Sequence, residues 1–213
     1  MTYAVKEIHY TLQGEGASAG TAAVLLRFSG CNLWTGREED RATAICRFCD
    51  TDFVGTDGLG GGKYAGAGDL ADAVDCLWPA SDDARRVKLV LCTGGEPLLQ
   101  LDAALVTALH ERGFHLAVET NGTIAAPDGV DWICVSPKAG APLLQTTGDE
   151  LKLVYPQEGV EPEDLAGLCF KHFFLQPRDG PSLDKHMRMA VRYCLGHPRW
   201  RLSIQAHKII GIP

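Results

Sequence analysis

Strand-like and helix-like segments alternate along most of this chain, and that alternation constrains the fold more than any other feature. Residues 87–92 form a short apolar run typical of a strand buried on both faces. Residues 101–112 follow with leucines at helical spacing, and Gly113 is placed to end that helix. The predicted strands are residues 5–10, 21–28, 87–92, 115–118, 132–135, 151–155, 172–175 and 200–206. The predicted helices are residues 69–78, with Asp69 as N-cap, 101–112, 163–168 and 183–195.

This βα order predicts a sheet of parallel strands with helical crossovers. A chain of 213 residues fits a single domain, residues 1–213, with a sizeable core. Because too few βα units are present for an eightfold barrel, we expect an α/β fold with a partial β/α barrel. The glycine-rich residues 55–68 are expected to form a flexible surface loop, since they match neither a phosphate-binding nor a dinucleotide-binding motif.

Composition and charge exclude several classes of function. A net charge of −7 without a basic stripe argues against nucleic-acid binding. No apolar run has transmembrane length and the first residues lack a signal-peptide pattern, so we expect a soluble cytoplasmic protein without membrane contact. The eight cysteines then indicate reduced thiols rather than a disulfide scaffold. Five of them lie in apolar segments and are expected to pack in the core, namely Cys76, Cys92, Cys134, Cys169 and Cys194.

Polar side chains cluster directly after four of the predicted strands. The four segments are Thr93-Gly-Gly-Glu96, Glu119-Thr-Asn-Gly122, Ser136-Pro-Lys138 and Gln176-Pro-Arg178. The carboxyl ends of parallel strands meet at one edge, where barrels and open α/β sheets bind their ligands. Any one of these segments is equally well an ordinary turn. The four together predict a ligand site at that edge.

Cys31, Cys46 and Cys49 are the candidate metal ligands. The Cys46-x-x-Cys49 pair places two thiolates within reach of one metal centre, and Cys31 supplies a third. Three thiolates on a [4Fe–4S] cluster leave one iron without a protein ligand. That open iron can bind S-adenosylmethionine (SAM), and a downstream Gly-Gly-Glu turn is where enzymes of this kind hold the methionine end. A radical SAM enzyme is therefore the leading hypothesis.

The cysteine spacing departs from the usual Cys-x3-Cys-x2-Cys pattern of that superfamily. Fourteen residues, 32–45, separate Cys31 from Cys46, and the charged residues 37–41 indicate a solvated insert that leaves and returns. Its length alone does not prevent convergence of the thiolates, because the entropy of loop closure grows slowly with length. A structural zinc site is the alternative, since Cys-x-x-Cys knuckles often bind zinc. However, neither a second knuckle nor a paired histidine spacing supplies a fourth ligand.

Several motifs, spread nearly end to end, resemble those of 7-carboxy-7-deazaguanine synthases, which are radical SAM enzymes of the 7-deazapurine (queuosine) pathway. Leu12-Gln-Gly-Glu-Gly16 and Arg27-Phe-Ser-Gly-Cys31-Asn-Leu-Trp34 are the specific motifs, whereas Thr93-Gly-Gly-Glu-Pro97 marks only the superfamily. The remaining motifs are Cys49-Asp-Thr51, Glu119-Thr-Asn-Gly122, Ser136-Pro-Lys138 and Leu175-Gln-Pro177. The resemblance implies ring contraction of 6-carboxy-5,6,7,8-tetrahydropterin to 7-carboxy-7-deazaguanine with loss of ammonia, started by a SAM-derived radical.

The resemblance also implies cofactors, partners and site residues. The cofactors are a [4Fe–4S] cluster on Cys31, Cys46 and Cys49, SAM, and Mg²⁺ bound by Thr51. The partners are the pterin, an electron-donor protein such as flavodoxin or ferredoxin, and a second copy in a homodimer. The implied SAM-binding residues are Phe48, Cys49, Asp50, Gly95, Glu96, Glu119, Ser136, Pro137, Lys138, Gln176, Pro177, Arg178 and Asp179. The implied substrate-binding residues are Leu12, Gln13, Gly14, Glu15, Arg27, Thr93 and Pro213.

Within that set, Arg27 is expected to pair with the substrate carboxylate through its planar fork. Gln13 and Glu15 are expected to contact the pterin edge. The alternative for Thr51 is a hydroxyl that only stabilises a turn, and the alternative for Pro213 is a frayed chain terminus. Two rival functions remain: a glycyl-radical-enzyme activase, which shares the cluster but acts on a protein, and a zinc-stabilised binding module without enzyme activity. The Leu-Gln-Gly-Glu-Gly motif speaks against the activase.

Overall fold

Nine strands and five α-helices make up the regular structure of residues 2–80 and 87–212, which the computed structural model describes. The strands are β1 (Tyr3–Leu12), β2 (Ala22–Phe28), β3 (Gly62–Tyr64), β4 (Lys88–Gly94), β5 (Phe114–Thr120), β6 (Trp132–Val135), β7 (Thr147–Tyr155), β8 (Cys169–Pro177) and β9 (Trp200–Leu202). The helices are α1 (Ala67–Asp75), α2 (Ala103–Glu111), α3 (Pro162–Leu165), α4 (Leu183–Gly196) and α5 (Ala206–Ile210). None of these helices is long and apolar enough to cross a bilayer.

The strands form one sheet in the order β3-β1-β2-β4-β5-β6-β7-β8-β9. From β2 to β9 every neighbouring pair is parallel, whereas β1 runs antiparallel to both β2 and β3. The sheet is open, because its two edge strands are β3 and β9. The expected α/β partial barrel is thereby confirmed.

The sheet has two faces: one is covered by helices, and the other lines a cavity. Val90 of β4 and Leu116 of β5 are fully buried against Leu105 and Leu109 of α2. A second cluster packs β7 and β8 against Ala190 of α4. Since successive strand residues point to opposite faces, the intervening positions are left to line the interior of the partial barrel.

Four details of the predicted elements are wrong. The predicted last strand, 200–206, ends at Leu202, and Ala206 begins α5 instead. The glycine-rich residues 55–68 contain strand β3, which pairs with the start of β1. Helix α1 begins at Ala67, so Asp69 lies in its first turn and Gly66 is the N-cap. Helix α2 begins at Ala103 because the carboxylate of Asp102 caps it by accepting from the Leu105 amide at 3.0 Å.

The five additional cysteines divide between the core and the surface. Cys92 and Cys134 are buried as expected, and Cys194 is partly buried. The prediction is wrong for Cys76 and Cys169, which are exposed. Cys76 follows the last residue of α1, and Cys169 is the first residue of β8, so both lie at the ends of elements rather than inside the packing.

Candidate active site

A cavity of about 360 Å³ lies at the carboxyl ends of the parallel strands. Most of the residues predicted for a site line this cavity. These are Leu12, Gln13, Gly14, Glu15, Arg27, Cys31, Cys46, Phe48, Cys49, Asp50, Thr51, Thr93, Gly95, Glu119, Ser136, Lys138, Gln176, Pro177 and Asp179. Glu96, Pro137 and Arg178 do not line it, and Pro213 lies outside the described residues.

The insert at 32–45 braces the cysteine wall of the cavity. Trp34 packs edge-on against Phe53, with ring centroids 5.7 Å apart, and the guanidinium of Arg41 lies 4.1 Å from the Trp34 ring. Arg41 also donates to the backbone carbonyls of Arg47 at 2.9 Å and Cys49 at 3.1 Å. The insert leaves and returns as predicted, but its charged Arg41 faces inward and holds the Cys-x-x-Cys segment.

The three predicted cluster cysteines share this cavity and differ in their electrostatics. Burial raises the pKa of Cys31. The Cys46 thiol donates to Cys49, which raises the pKa of Cys46 and lowers that of Cys49. Three thiols on one wall suit a [4Fe–4S] cluster with one iron left open. Among the described residues, no group of three or more His, Cys, Asp or Glu side chains is placed as a metal site. Ligation by these cysteines therefore stays a prediction.

The Gly-Gly-Glu turn requires glycine because backbone approaches it closely. A Cβ atom on Gly95 would lie 2.3 Å from the Gly30 carbonyl oxygen and 2.7 Å from Cβ of Cys31. Gly94 has φ of +148°, and a Cβ atom there would lie 2.4 Å from the Phe28 carbonyl oxygen. The turn therefore presents bare backbone to the cavity beside Cys31, a cradle that suits the methionine end of SAM.

Glu96 supports this turn from beneath and does not reach the cavity. Its carboxylate is fully buried and accepts from the Leu98 amide at 2.9 Å, the Thr120 hydroxyl at 2.8 Å and the Asn121 amide at 2.8 Å. Burial raises its pKa, although these donors oppose the shift. The structure thus gives Glu96 a bracing position between the turn and the end of β5, where a direct SAM contact had been expected.

The segments after β6 and β8 bring two predicted SAM-binding groups to the wall. Lys138 donates to the backbone oxygen of Ser136 at 2.6 Å and to its hydroxyl at 2.7 Å, and burial lowers the pKa of Lys138. The side-chain oxygen of Gln176 accepts from the Ser203 hydroxyl at 3.0 Å. Both residues reach the cavity because their strands end at this edge.

The predicted substrate residues Gln13, Glu15 and Arg27 line the same cavity. The Nε atom of Arg27 donates to Oε1 of Glu7 at 2.6 Å, so a carboxylate of the chain already orients this arginine. The amide of Gln13 donates to Oε1 of Glu119 at 2.9 Å. The carboxylate of Glu15 accepts from Gln205 at 3.1 Å. These residues bring a guanidinium group and several hydrogen-bond acceptors to the cavity.

Two parts of the wall escaped the sequence analysis. Lys152 of β7 is buried and contacts both Glu15 and Glu119; a lysine between two leucines of an apolar strand is the signal that could have found it. At the other end of the chain, Lys208 of α5 donates to Asp50 at 2.7 Å and to Asp179 at 2.5 Å. No sequence signal marks Lys208, because its two partners are distant along the chain.

The C-terminal segment also seals the gap beside β9. The Ala206 amide donates to the Gly14 carbonyl oxygen at 2.9 Å, and the Gly16 amide donates to the Ser203 hydroxyl at 3.0 Å. A Cβ atom on Gly14 would lie 2.2 Å from Nδ1 of His207. The loop after β1 therefore meets the last described residues across the open edge of the sheet.

An open, mostly parallel α/β sheet with three cysteines and a Gly-Gly-Glu turn at its carboxyl edge defines the radical SAM class of enzymes. Comparison with known proteins identifies the family within this class. It is 66% identical to the 7-carboxy-7-deazaguanine synthase of Caulobacter vibrioides and 62% identical to that of Bordetella pertussis, over all of both chains in each case. The synthase of Nitratidesulfovibrio vulgaris is 55% identical, again over all of both chains.

The crystal structure of QueE from Escherichia coli has a similar fold, with a TM-score of 0.70 and 27% identity over 97% of this chain and 95% of that one. No protein-family model matches the chain. Full-length identity at these levels shows that the chain belongs to the 7-carboxy-7-deazaguanine synthase family. Its recognition from sequence motifs is confirmed.

Proposed function

We propose that this chain, acting as a single domain, converts 6-carboxy-5,6,7,8-tetrahydropterin to 7-carboxy-7-deazaguanine with loss of ammonia. The observation that carries the proposal is that the three cysteines, Gly95, Gln13, Glu15 and Arg27 all line one cavity. A cofactor site and a polar site for a small heterocycle are thereby adjacent. Neither the glycyl-radical activase nor the zinc module gains support from a specific observation.

Residues of the cysteine wall suit the family's cofactors, a [4Fe–4S] cluster, SAM and Mg²⁺. When bound, the cluster and SAM supply the organic radical that takes hydrogen from the substrate. Cys31, Cys46 and Cys49 would hold the cluster, and Thr51 would bind Mg²⁺ together with substrate oxygens. Ser136, Lys138 and Gln176 carry polar groups that suit SAM, together with the Gly95 backbone. Four further SAM contacts predicted from sequence, Phe48, Asp50, Pro177 and Asp179, also line the cavity.

The chain's own contribution is to bind and orient the pterin and to exclude water. Arg27 would receive the substrate carboxylate, with Glu7 fixing the direction of its guanidinium. Gln13 and Glu15 offer amide and carboxylate groups to the ring edge. Glu119, predicted from the sequence as a SAM contact, accepts from Gln13, and we propose that it serves the same edge of the pterin. Holding two ligands at fixed separation replaces a bimolecular encounter with an oriented one. We also propose a cytoplasmic homodimer reduced by a flavodoxin- or ferredoxin-type donor.

Product analysis after anaerobic cluster reconstitution tests the proposal, with reductant, SAM, Mg²⁺ and 6-carboxytetrahydropterin present. Wild-type protein should give the deazaguanine acid by mass spectrometry, whereas Cys49→Ala should give none and should lose bound iron and acid-labile sulfide. Cys169→Ala is the matched control, because Cys169 is exposed and does not line the cavity. 5′-Deoxyadenosine without the product would refute the substrate assignment. Bound zinc without sulfide in the wild type would favour the binding module.

A further inference from the structure

Lys152 lies in the middle of β7 with its side chain in the interior of the partial barrel. Its neighbours Leu151 and Leu153 pack in the helix-covered core, so Lys152 faces the other way and lines the cavity. Only 4% of its side chain is exposed. Because lysines are rarely this buried unless they are paired with an acidic group, Lys152 is expected to have charged partners.

One ammonium group joins two carboxylates that come from distant parts of the chain. The Nζ atom of Lys152 donates to Oε1 of Glu119 at 3.0 Å, and it also forms an ion pair with Glu15. Glu119 accepts a second bond from Gln13, and Glu15 accepts one from Gln205. All five residues line the cavity. Lys152 is therefore the centre of the polar wall on the predicted substrate side.

The charges around Lys152 keep this group ionised. Burial by itself would lower the pKa of Lys152, but the attraction of Glu119 and Glu15 outweighs burial and the pKa is raised. Burial likewise opposes ionisation of Glu119, yet Lys152, Gln13 and Arg27 together outweigh burial and the pKa of Glu119 is lowered. The other titratable and charged groups that act on these residues are Cys134 of β6, Glu150 of β7, Arg27 of β2, Lys138 after β6 and Asp50 in the cysteine segment.

We propose that Lys152 is a positioning residue for substrate recognition, holding Glu15 and Glu119 side by side as acceptors for the N–H groups of the pterin edge. The proposal rests on the proposed function and names a residue that acts through two others. Without the ammonium, two neighbouring carboxylates repel and one takes up a proton. A protonated carboxyl donates a hydrogen bond, so it mismatches an N–H group of the substrate.

Substrate binding without turnover tests this role. Reconstituted holoenzyme with Mg²⁺, but without SAM, is titrated anaerobically with 6-carboxytetrahydropterin by calorimetry. At pH 7 we expect Lys152→Met to raise the substrate dissociation constant about tenfold or more, since a charge-assisted contact is disrupted. The ratio of the mutant to the wild-type substrate dissociation constant should fall as pH rises, because the carboxyl group of Glu15 or Glu119 that is protonated in the mutant ionises again. Affinity for SAM, titrated separately, should stay within about twofold, because Glu119 is reassigned to the pterin and no other contact of Lys152 belongs to the predicted SAM site.

Lys171→Met is the matched control. Lys171 lies in the adjacent strand β8 and pairs with Asp149 at 2.6 Å, but its side chain is 71% exposed and does not line the cavity. This control should bind substrate as the wild type does. A Lys152→Met variant that binds the pterin with wild-type affinity would overturn the proposal. Wild-type protein that fails to bind the pterin would instead refute the proposed function.

A double-mutant cycle with Glu119→Gln tests whether Lys152 acts through Glu119. The loss caused by Lys152→Met should shrink to about threefold in the Glu119→Gln background, with Glu15 the remaining partner. Losses that multiply independently would contradict the positioning role. If Lys152→Met does not fold, the double variant, which removes one charge of each sign, is compared with Glu119→Gln alone. Equal affinities for those two proteins would overturn the proposal.

Discussion

Replacement of Glu96 tests how the Gly-Gly-Glu turn is held in place. Its Oε1 atom accepts from the Leu98 amide and the Thr120 hydroxyl, and its Oε2 atom accepts from the Asn121 amide. All three donor residues are buried, so water does not replace a lost acceptor. Leaving one such donor unsatisfied costs about 1–3 kcal/mol. Oε1 therefore accepts two of the three hydrogen bonds and Oε2 accepts one. Substitutions that keep or remove one oxygen can measure the two contributions separately.

Glu96→Gln keeps an oxygen at the Oε1 position and loses only the bond to Asn121. Because burial raises the pKa of Glu96, glutamine also avoids part of the cost of a buried charge. We therefore expect a loss of about 1 kcal/mol, or roughly 2–4 °C in melting temperature. Glu96→Ala removes both acceptor oxygens and all three hydrogen bonds. It should cost about 3–5 kcal/mol and lower the melting temperature at least twice as much as Glu96→Gln.

Thermal unfolding of the reconstituted protein, followed by circular dichroism, measures both shifts. Glu111→Gln is the control, since Glu111 is exposed at the end of α2 and its substitution should change stability by less than about 0.5 kcal/mol. Equal losses for the glutamine and alanine variants would refute the division of bonds between the two oxygens. An alanine variant as stable as the control would refute the bracing role altogether.

Two glycine substitutions give the remaining predictions. Gly95→Ala should lower stability by about 1–3 kcal/mol and reduce bound iron, because its Cβ would meet backbone at 2.3 Å. Gly68 lies in the first turn of α1 and its Cβ would lie 4.0 Å from its nearest neighbour, so Gly68→Ala should not lower stability and should leave bound iron unchanged. Gly14→Ala should lower the melting temperature through its clash with His207, and His207→Ala should restore it if that contact is the cause. A Gly14→Ala defect that persists in the double variant would show that the contact is not responsible.

The edge of the sheet that carries the cavity was predictable because its signals are local. Each apolar strand is followed at once by its polar segment, as Thr93 and Ser136 illustrate, and parallel strands bring such ends together. The path of the insert at 32–45 was harder to predict, since its charged residues 37–41 resemble a solvated loop. Only the folded chain shows that Arg41 turns inward onto the Trp34 ring.

Residues that depend on distant partners were beyond the sequence analysis. Lys152 contacts Glu15, which is 137 residues away in the sequence, and no local sequence pattern predicts such a contact. Glu96 was assigned to the ligand because a motif does not reveal which side of a turn faces the cavity. Helix α5 was missed, and its first residue, Ala206, was placed at the end of the predicted strand 200–206. Five residues with two isoleucines give too short a helical period to be recognised.

The seal between the loop after β1 and the C-terminal segment has a consequence for biosynthesis. Gly16 is translated long before its partner Ser203, which lies 187 residues further along the chain. A nascent chain can build most of the sheet while it is still attached to the ribosome. The contacts beside Gly14 and Gly16 can form only after Ser203 and Ala206 have left the ribosome, so a cofactor loaded before that point would meet an incomplete enclosure.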